Sequence, residues 1–195
     1  MRLVTTLLLV RHGETDWNRD GRWQGHSDTH LNEVGRDQAR RVAGELSDVD
    51  VVYTSDLARA RETAEIIATA QGLDVHLEPR LRERSFGAWE GLTMPEIEVE
   101  FGEALARWLA GEGPGAEDAE PFDAFATRVA GFVHEVPERH PDQTVLLIGH
   151  GGSIRVIHAL ASGLDYVRDH RSIPAVPNCT VARYAAGDGK LAPLD

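Results

Sequence analysis

The chain has 195 residues, of which 27% are charged, 42% hydrophobic and 6% aromatic. That is ordinary globular composition at single-domain length, enough to bury about 70% of the unfolded surface without a staple; disorder, collagen and coiled coil fit poorly. Twenty basic against 32 acidic residues leave a net charge of −12. This argues against nucleic acid or an anionic membrane as partner, since both need a basic field, but it leaves room for a small basic pocket that takes a small anion.

Cys179 is the only cysteine, so no intramolecular disulfide can form. Nothing demands an oxidising compartment. The N-terminal apolar run Leu7–Val10 stops at Arg11, short of the about 7–15 apolar residues of a signal peptide and the roughly 18 of a membrane span. The cytoplasm is therefore the expected location.

In chain order, Leu7–Val10 reads as a buried parallel strand, and Arg-His-Gly follows it at once. Asn32 can cap a helix that turns Val34, Ala39, Val42, Ala43 and Leu46 inward. Val49–Tyr53 is the next strand. Ser55 can cap a second helix with Leu57, Ala60, Ala64 and Ile67 inward, and Val75–Leu77 is a short third strand. The stretch from Gly111 to Pro121 is rich in Gly, Pro and acids and reads as a loop. A long helix follows, with Phe122, Phe125, Ala126, Val129, Phe132, Val133 and Val136 on one face. Thr144–Ile148 is a fourth strand, ending in Gly149-His150-Gly151-Gly152, and a helix from Ser153 to about Ser162 follows it. Cys179–Tyr184 is the last strand, placed at an edge.

Strands alternating with helices predict an α/β fold: a three-layer α/β/α sandwich on a mostly parallel sheet with an antiparallel edge strand. Ligands of such sheets bind beyond the carboxyl ends of the strands. His12 and His150 each follow a strand and precede a glycine. The pattern therefore puts two imidazoles and Arg11 on one rim, from segments roughly 140 residues apart.

An imidazole nitrogen can attack phosphorus and form a phosphoramidate that water later hydrolyses. The reaction then needs cationic donors for the phosphoryl oxygens, a general acid for the leaving alkoxide, and a nucleophile kept neutral on its attacking nitrogen. Arg11, Arg59 in the first turn of its helix, and His150 before a Gly-Gly pair supply the donors. Glu83, after the third strand, is the candidate acid, in competition with Glu78, Glu90 and Glu14.

These residues carry a resemblance. Leu9-Val10-Arg11-His12-Gly13-Glu14-Thr15 with Asn18 resembles the signature of the histidine phosphatase superfamily, the phosphoglycerate-mutase-like proteins. Gln24-Gly25…Asp28…Leu31-Asn32-Glu33-x-Gly35, Ser55-x-Leu57-x-Arg59-Ala60-x-x-Thr63-Ala64, Leu81-x-Glu83-x-x-Phe86-Gly87-x-Trp89-Glu90-Gly91 and Gly149-His150-Gly151-Gly152 resemble its further blocks, in family order over nearly the whole chain. The resemblance implies a phosphohistidine at His12, and a phosphate pocket of Arg11, Arg59 and His150 with Gly151 beside it. It also implies Glu83 as acid and then base, and substrate contacts from Asn18 and the backbone at Gln24 and Gly25. No metal and no cofactor are implied. One departure stands out: His30 occupies a position where relatives usually carry proline, which bears on loop rigidity near the pocket.

The expected architecture is one domain over residues 1–195, with about 91–121 forming a cap or loop insertion. The expected function is a metal-independent phosphomonoester hydrolase acting on a small phosphorylated metabolite, as a monomer or homodimer. Two other readings compete, a cofactor-dependent phosphoglycerate mutase and a phospholigand-binding module without turnover. Mutases of this family resemble the chain but carry a basic insertion before the second histidine. Here Glu96 to Glu120 holds eight acids and one base, Arg107, and such a segment is expected to repel a second anionic group. His26 and His30 form an H-x-x-x-H pair without an evident third ligand, so no metal is expected there. Trp17, Trp23, Trp89 and Trp108 read as packing residues, Trp23 being the one that could line the substrate mouth, and Arg61 reads as a surface residue or ion-pair partner.

Overall fold

Leu7, Leu8, Leu9 and Val10 are each exposed by 2% or less, because β1 (Thr5–Arg11) is a central strand covered on both faces. Strand side chains alternate, so Leu7 and Leu9 enter one apolar core while Leu8 and Val10 enter another. The other strands are β2 (Val51–Thr54), β3 (Val75–Leu77), β4 (Thr144–Gly149), β5 (Val181–Gly187) and β6 (Lys190–Pro193). The computed structural model, which describes residues 4–194, orders them β3-β2-β4-β1-β5-β6. The first four of that order run parallel; β5 pairs antiparallel with β1, and β6 pairs antiparallel with β5.

The helices are α1 (Asp16–Arg19), α2 (Glu33–Glu45), α3 (Ala58–Gln71), α4 (Met94–Ala110), α5 (Phe122–Arg139), α6 (Gly151–Ser162) and α7 (Tyr166–Asp169). Ala39, Val42 and Ala43 of α2 and Ala60, Ala64 and Ile67 of α3 cover the Leu8 face. Phe125, Val129, Phe132, Val133 and Val136 of α5 and Ile154, Val156 and Ile157 of α6 cover the Leu7 face. This is a three-layer α/β/α fold on a mostly parallel sheet with an antiparallel edge. A third cluster forms outside the sheet, where Trp89, Ile97 and Leu105 pack with Trp23, Phe86 and Trp108.

Several expectations shift. Val34 is 53% exposed, not inward. The buried position beside it is Gly35, where a Cβ would come 2.1 Å from the Glu14 carbonyl oxygen; α2 meets the Arg-His-Gly turn through backbone, and that sets its rotation. Ser55 does not cap α3. Leu57 takes the N-cap position without a side-chain bond, and Asp28 from the earlier loop accepts from Ala58 N at 2.6 Å instead. Helix α6 begins at Gly151, two residues before the expected start. Cys179 and Thr180 precede β5, with Cys179 in a turn at φ 53°, and β6 rather than β5 is the outer strand. Within 91–121 lies α4, and the signals for it stand in the sequence: Thr93 and Glu96 form a capping box, with Pro95 in the first turn.

Strands β1 and β4 are parallel neighbours in register, Arg11 opposite Gly149. The residues that leave their carboxyl ends must therefore emerge side by side.

Candidate active site

His12 donates its backbone N–H to the Gly149 carbonyl at 3.0 Å, the last rung between the two strands. Its ring is 3% exposed, and Nδ1 lies 2.7 Å from the Gly13 carbonyl oxygen. A carbonyl only accepts, so Nδ1 carries the hydrogen and Nε2 keeps its lone pair. The ring of His150 lies 5.1 Å away, centroid to centroid, tilted by 58°. Burial first, then the Arg59 charge, holds both imidazoles well below the usual histidine range, with Arg11 adding to the effect. Both rings are neutral at neutral pH.

Arg59 sits in the first turn of α3 and is 1% exposed. It donates to the carbonyls of Ser27 at 2.9 Å and Gly25 at 2.8 Å. Burial pulls its pKa down to about 10, which leaves it charged. Arg11 donates Nη1 to the Val176 carbonyl at 2.5 Å. The Nε atoms of Arg11 and Arg59 and both ring nitrogens of His150 are buried without a hydrogen-bond partner. Buried polar nitrogens are nearly always paired. Four unpaired ones on three residues around His12 describe a site suited to an acceptor-rich anion.

Glu83 accepts from Arg84 N at 2.9 Å and from Gly152 N at 3.0 Å, one bond to each oxygen. Arg128 of α5 fixes the loop that carries it, donating to the carbonyls of Arg80, Arg82 and Glu83, each at 2.8 Å, and pairing with Glu120 at 2.7 Å. Arg11, Glu83, Gly151 and Gly152 line a cleft of about 270 Å³, together with Trp23 and Trp108. Arg11, His12, Arg59, Glu83, His150 and Gly151 are thus brought together.

The remaining expected contacts are placed less directly. Asn18 turns Oδ1 toward Thr15 N at 3.2 Å and Asn178 Nδ2 at 3.4 Å. Gln24 is 7% exposed and accepts from Thr29 Oγ1 at 2.6 Å. Gly25 gives its carbonyl to Arg59. His26 Nε2 lies 2.9 Å from the Glu83 carbonyl oxygen, and the His30 ring bonds the Glu62 carboxylate of α3, which ties down the loop that lacks proline. Among the described residues no three His, Cys, Asp or Glu side chains are grouped to hold a metal. Glu14 bonds Asn32 Nδ2 at 2.9 Å, Trp89 is fully buried, and Arg61 lies 3.6 Å from Glu65.

The acids of the segment 91–121 do not wall this cleft; of that segment only Trp108 lines it. Glu112, Glu117 and Asp118 line a separate outer groove with Arg107. The acids expected to repel a second anionic group thus lie outside the lining of this cleft, and Glu120 of the same segment pairs with Arg128.

Sequence reasoning missed four supporting residues. Asn178 donates Nδ2 to the His12 carbonyl at 2.8 Å. Thr63 accepts from Gly13 N at 3.0 Å and donates to the Arg59 carbonyl at 2.7 Å. Arg128 holds the Glu83 loop. Glu90, weighed only as a rival acid, instead gathers the amides of His26 and Ser27 at 2.9 and 2.8 Å. Glu90 stands within the block that carries Glu83, and that adjacency was the available signal.

Comparison with known proteins agrees with this geometry. The family model described as histidine phosphatase superfamily (branch 1) matches residues 7–193. Phosphoserine phosphatase 1 of Hydrogenobacter thermophilus is 38% identical over 167 residues, 83% of this chain and 78% of that protein. A probable phosphoglycerate mutase of Cronobacter sakazakii is 35% identical over 179 residues, 90% of this chain and 82% of that protein. The solved mycobacterial glucosyl-3-phosphoglycerate phosphatase complexed with VO3 superimposes with a TM-score of 0.86 at 29% identity, over 97% of each chain. With Arg11-His12-Gly13 and His150 converging at the end of two adjacent strands and a model match over nearly its full length, the chain belongs to the histidine phosphatase superfamily, branch 1.

Proposed function

We propose that this chain is a metal-independent phosphomonoester hydrolase that acts on a small phosphorylated metabolite through a phosphohistidine at His12. The observation that carries the reading is the hydrogen bond from His12 Nδ1 to the Gly13 carbonyl, set beside the buried Nε atoms of Arg11 and Arg59. It leaves Nε2 with a free lone pair beside the charges of Arg59 and Arg11.

Nε2 attacks phosphorus and forms the P–N bond as the P–O bond to the leaving group breaks. Protonated Glu83 gives its proton to the departing oxygen, a contribution of about 10²–10⁴ in rate for general acid catalysis. Arg11, Arg59 and His150 hold the equatorial oxygens as charge spreads over them. Water then attacks phosphorus, the Glu83 carboxylate takes its proton, and the P–N electron pair returns to Nε2. Asn18 and the Gln24-Gly25 backbone flank the phosphoryl group in this reading. Residues 1–195 act as one domain, with about 91–121 as the cap, in the cytoplasm, as monomer or homodimer. Among the described residues no helix is long and apolar enough to cross a membrane.

Turnover of p-nitrophenyl phosphate is expected to persist in excess EDTA and to vanish in His12→Ala. A phosphoenzyme trapped by rapid quench is expected to be acid-labile and base-stable. A rate abolished by EDTA, or no phosphoenzyme in the wild type, overturns the reading. The mutase reading has the Cronobacter relative in its favour; faster interconversion of 3- and 2-phosphoglycerate than hydrolysis of either would establish it. Saturable phosphate binding without hydrolysis of any ester would establish a binding module.

A further inference from the structure

The proposed acid stands on backbone with no regular structure of its own. Residues 82–86 belong to neither helix nor strand, yet a group that transfers a proton has to be held within about 0.5 Å of its productive place. The hold comes from outside that stretch. Arg128 of α5 spends all five of its N–H groups there. Nη1 donates to the carbonyls of Arg80 and Arg82, Nη2 to the Glu83 carbonyl and Glu120 Oε2, and Nε to Glu120 Oε1, at 2.7–2.8 Å. The Phe125 ring lies 4.8 Å from the guanidinium and sets its plane. Glu120 completes the arrangement. Its amide donates to the Ser85 carbonyl at 3.0 Å, and its Oε2 accepts from Ser85 N at 3.3 Å. The Glu83 carbonyl takes a second bond from His26 Nε2 at 2.9 Å, and Arg84 Nη1 reaches the carbonyls of Pro114 and Glu120 at 2.8 Å.

We infer that Arg128 and Glu120 are positioning residues for Glu83: together they fix where its carboxyl stands when the leaving oxygen takes the proton. The inference rests on the phosphatase reading above and adds two residues that touch no substrate in it. Neither lies in the sequence blocks that carry the family resemblance. The segment 91–121 thereby enters the chemistry through Glu120, without lining the reacting end of the site. Lysine at 128 keeps the charge, which helps to hold His150 neutral, but offers three donors on a compact head where five planar ones are matched. Glutamine at 120 turns one acceptor oxygen into a donor against a guanidinium that only donates. Each change loosens the backbone around Glu83 and leaves Glu83, His12, Arg11 and Arg59 in the sequence.

The test uses phenyl phosphate and p-nitrophenyl phosphate, which share a ring and differ in how much the departing phenoxide needs a proton. Glu83→Gln serves as the benchmark for loss of the acid. Arg128→Lys and Glu120→Gln are each expected to lose about tenfold in kcat/KM on phenyl phosphate and under about threefold on p-nitrophenyl phosphate, a share of the about 10²–10⁴ that a general acid supplies. The loss should fall in kcat, with KM nearly unchanged. In a Glu83→Gln background the same changes should cost nothing further on phenyl phosphate, because no acid is left to place. A purely structural pair would instead lower the melting temperature and slow both esters alike. Equal losses on the two esters, or full additivity with Glu83→Gln, overturn this inference alone. Glu120→Gln keeps Arg128 and its three carbonyl bonds, which covers the case where Arg128→Lys misfolds. A Glu83→Gln enzyme without a leaving-group-dependent loss overturns the acid assignment and this inference with it. No hydrolysis of either ester by the wild type overturns the phosphatase reading itself.

Discussion

The Gly152 amide donates to Glu83 Oε2 at 3.0 Å, which makes the proposed acid and the helix behind His150 one mechanical unit. The contact is possible only without a side chain at 152. A Cβ there would fall 2.0 Å from Glu83 Oε1 and 3.1 Å from Phe125 Cζ. Position 152 lies inside α6, where alanine is a better helix former than glycine. Gly152→Ala is therefore expected to leave melting temperature nearly unchanged, because the clashing atom is the free end of a carboxylate that can swing aside. The swing displaces the acid. Hydrolysis of alkyl phosphates should fall by about 10²-fold, the lower bound of general acid catalysis. Hydrolysis of p-nitrophenyl phosphate, whose leaving group needs no proton, should fall far less. Equal losses on both substrates would remove Glu83 from the acid role.

The two central imidazoles set a pH dependence with a definite sign. Burial, then the neighbouring Arg59 charge, keeps His12 and His150 well below the ordinary value of 6.5 in the folded chain. Released on unfolding, each titrates near 6.5. As pH falls through that value the unfolded state binds protons that the folded state refuses, so stability is lost. It is fully present above 6.5 and declines below it until the folded pKa is reached, by up to about 1.4 kcal/mol per pH unit per ring. Urea titrations between pH 7.5 and 5.5 measure the slope. Inorganic phosphate should flatten it, since a bound anion favours the protonated rings. A stability that rises on acidification contradicts the neutral-ring account.

Asn178 reaches the site from a segment that neither composition nor periodicity marked. Its Nδ2 donates to the His12 carbonyl at 2.8 Å, while the Cys179 amide donates to the Arg11 carbonyl at 2.9 Å. Asn178→Ala leaves the His12 carbonyl without its side-chain donor, a cost of about 1–3 kcal/mol. That converts to a fall in melting temperature of about 2–4 °C per kcal/mol for a chain of this size. Because the Arg-His-Gly turn orients the nucleophile, kcat should fall more than KM rises. Unchanged kcat with lowered stability would reduce Asn178 to a structural role.

The parallel core was legible because β1 and β4 are short runs of apolar residues buried on both faces, which stand out without tertiary knowledge. The convergence of His12 and His150 followed, since parallel neighbours in register must release their next residues together. Helix α4 was not legible from periodicity. Only Ile97 and Leu105 of it are buried, and its inner face meets a small satellite cluster rather than the main core. The cap of α3 was misassigned for a similar reason. Asp28 supplies it from 30 residues upstream, and a bond across that separation leaves no local pattern. Arg84 and Arg155 lay outside the matched motif positions, so their place on the cleft wall needed coordinates.

Glu90 shows how much of the site depends on a residue that touches no substrate in this reading. Its carboxylate accepts from His26 N at 2.9 Å, Ser27 N and Oγ at 2.8 Å, Phe86 N at 3.0 Å and Ser85 Oγ at 3.2 Å. Gly25, at φ 50°, passes so close that a Cβ would meet Glu90 Oε1 at 2.0 Å. Partial burial alone would raise its pKa, but the bonds from His26, Ser27 and Phe86 outweigh that and hold the carboxyl below the ordinary 4.5. A depressed carboxylate stabilises the fold above its unfolded value and loses that contribution as pH falls below about 4.5. In Glu90→Gln an amide replaces one acceptor oxygen with a donor, against the backbone N–H groups of His26, Ser27 and Phe86, which can only donate. A stability loss of about 1.5–3 kcal/mol is expected, the scale of a bond to a charged group. The acid limb of a stability–pH curve should also become shallower than in the wild type. The 24–27 loop, whose Gly25 and Ser27 carbonyls Arg59 grips, should loosen. The kinetic signature is a raised KM for every phosphate ester alike, measured at neutral pH. A lowered stability with unchanged KM for every ester would sink its role as the clamp of the phosphate loop.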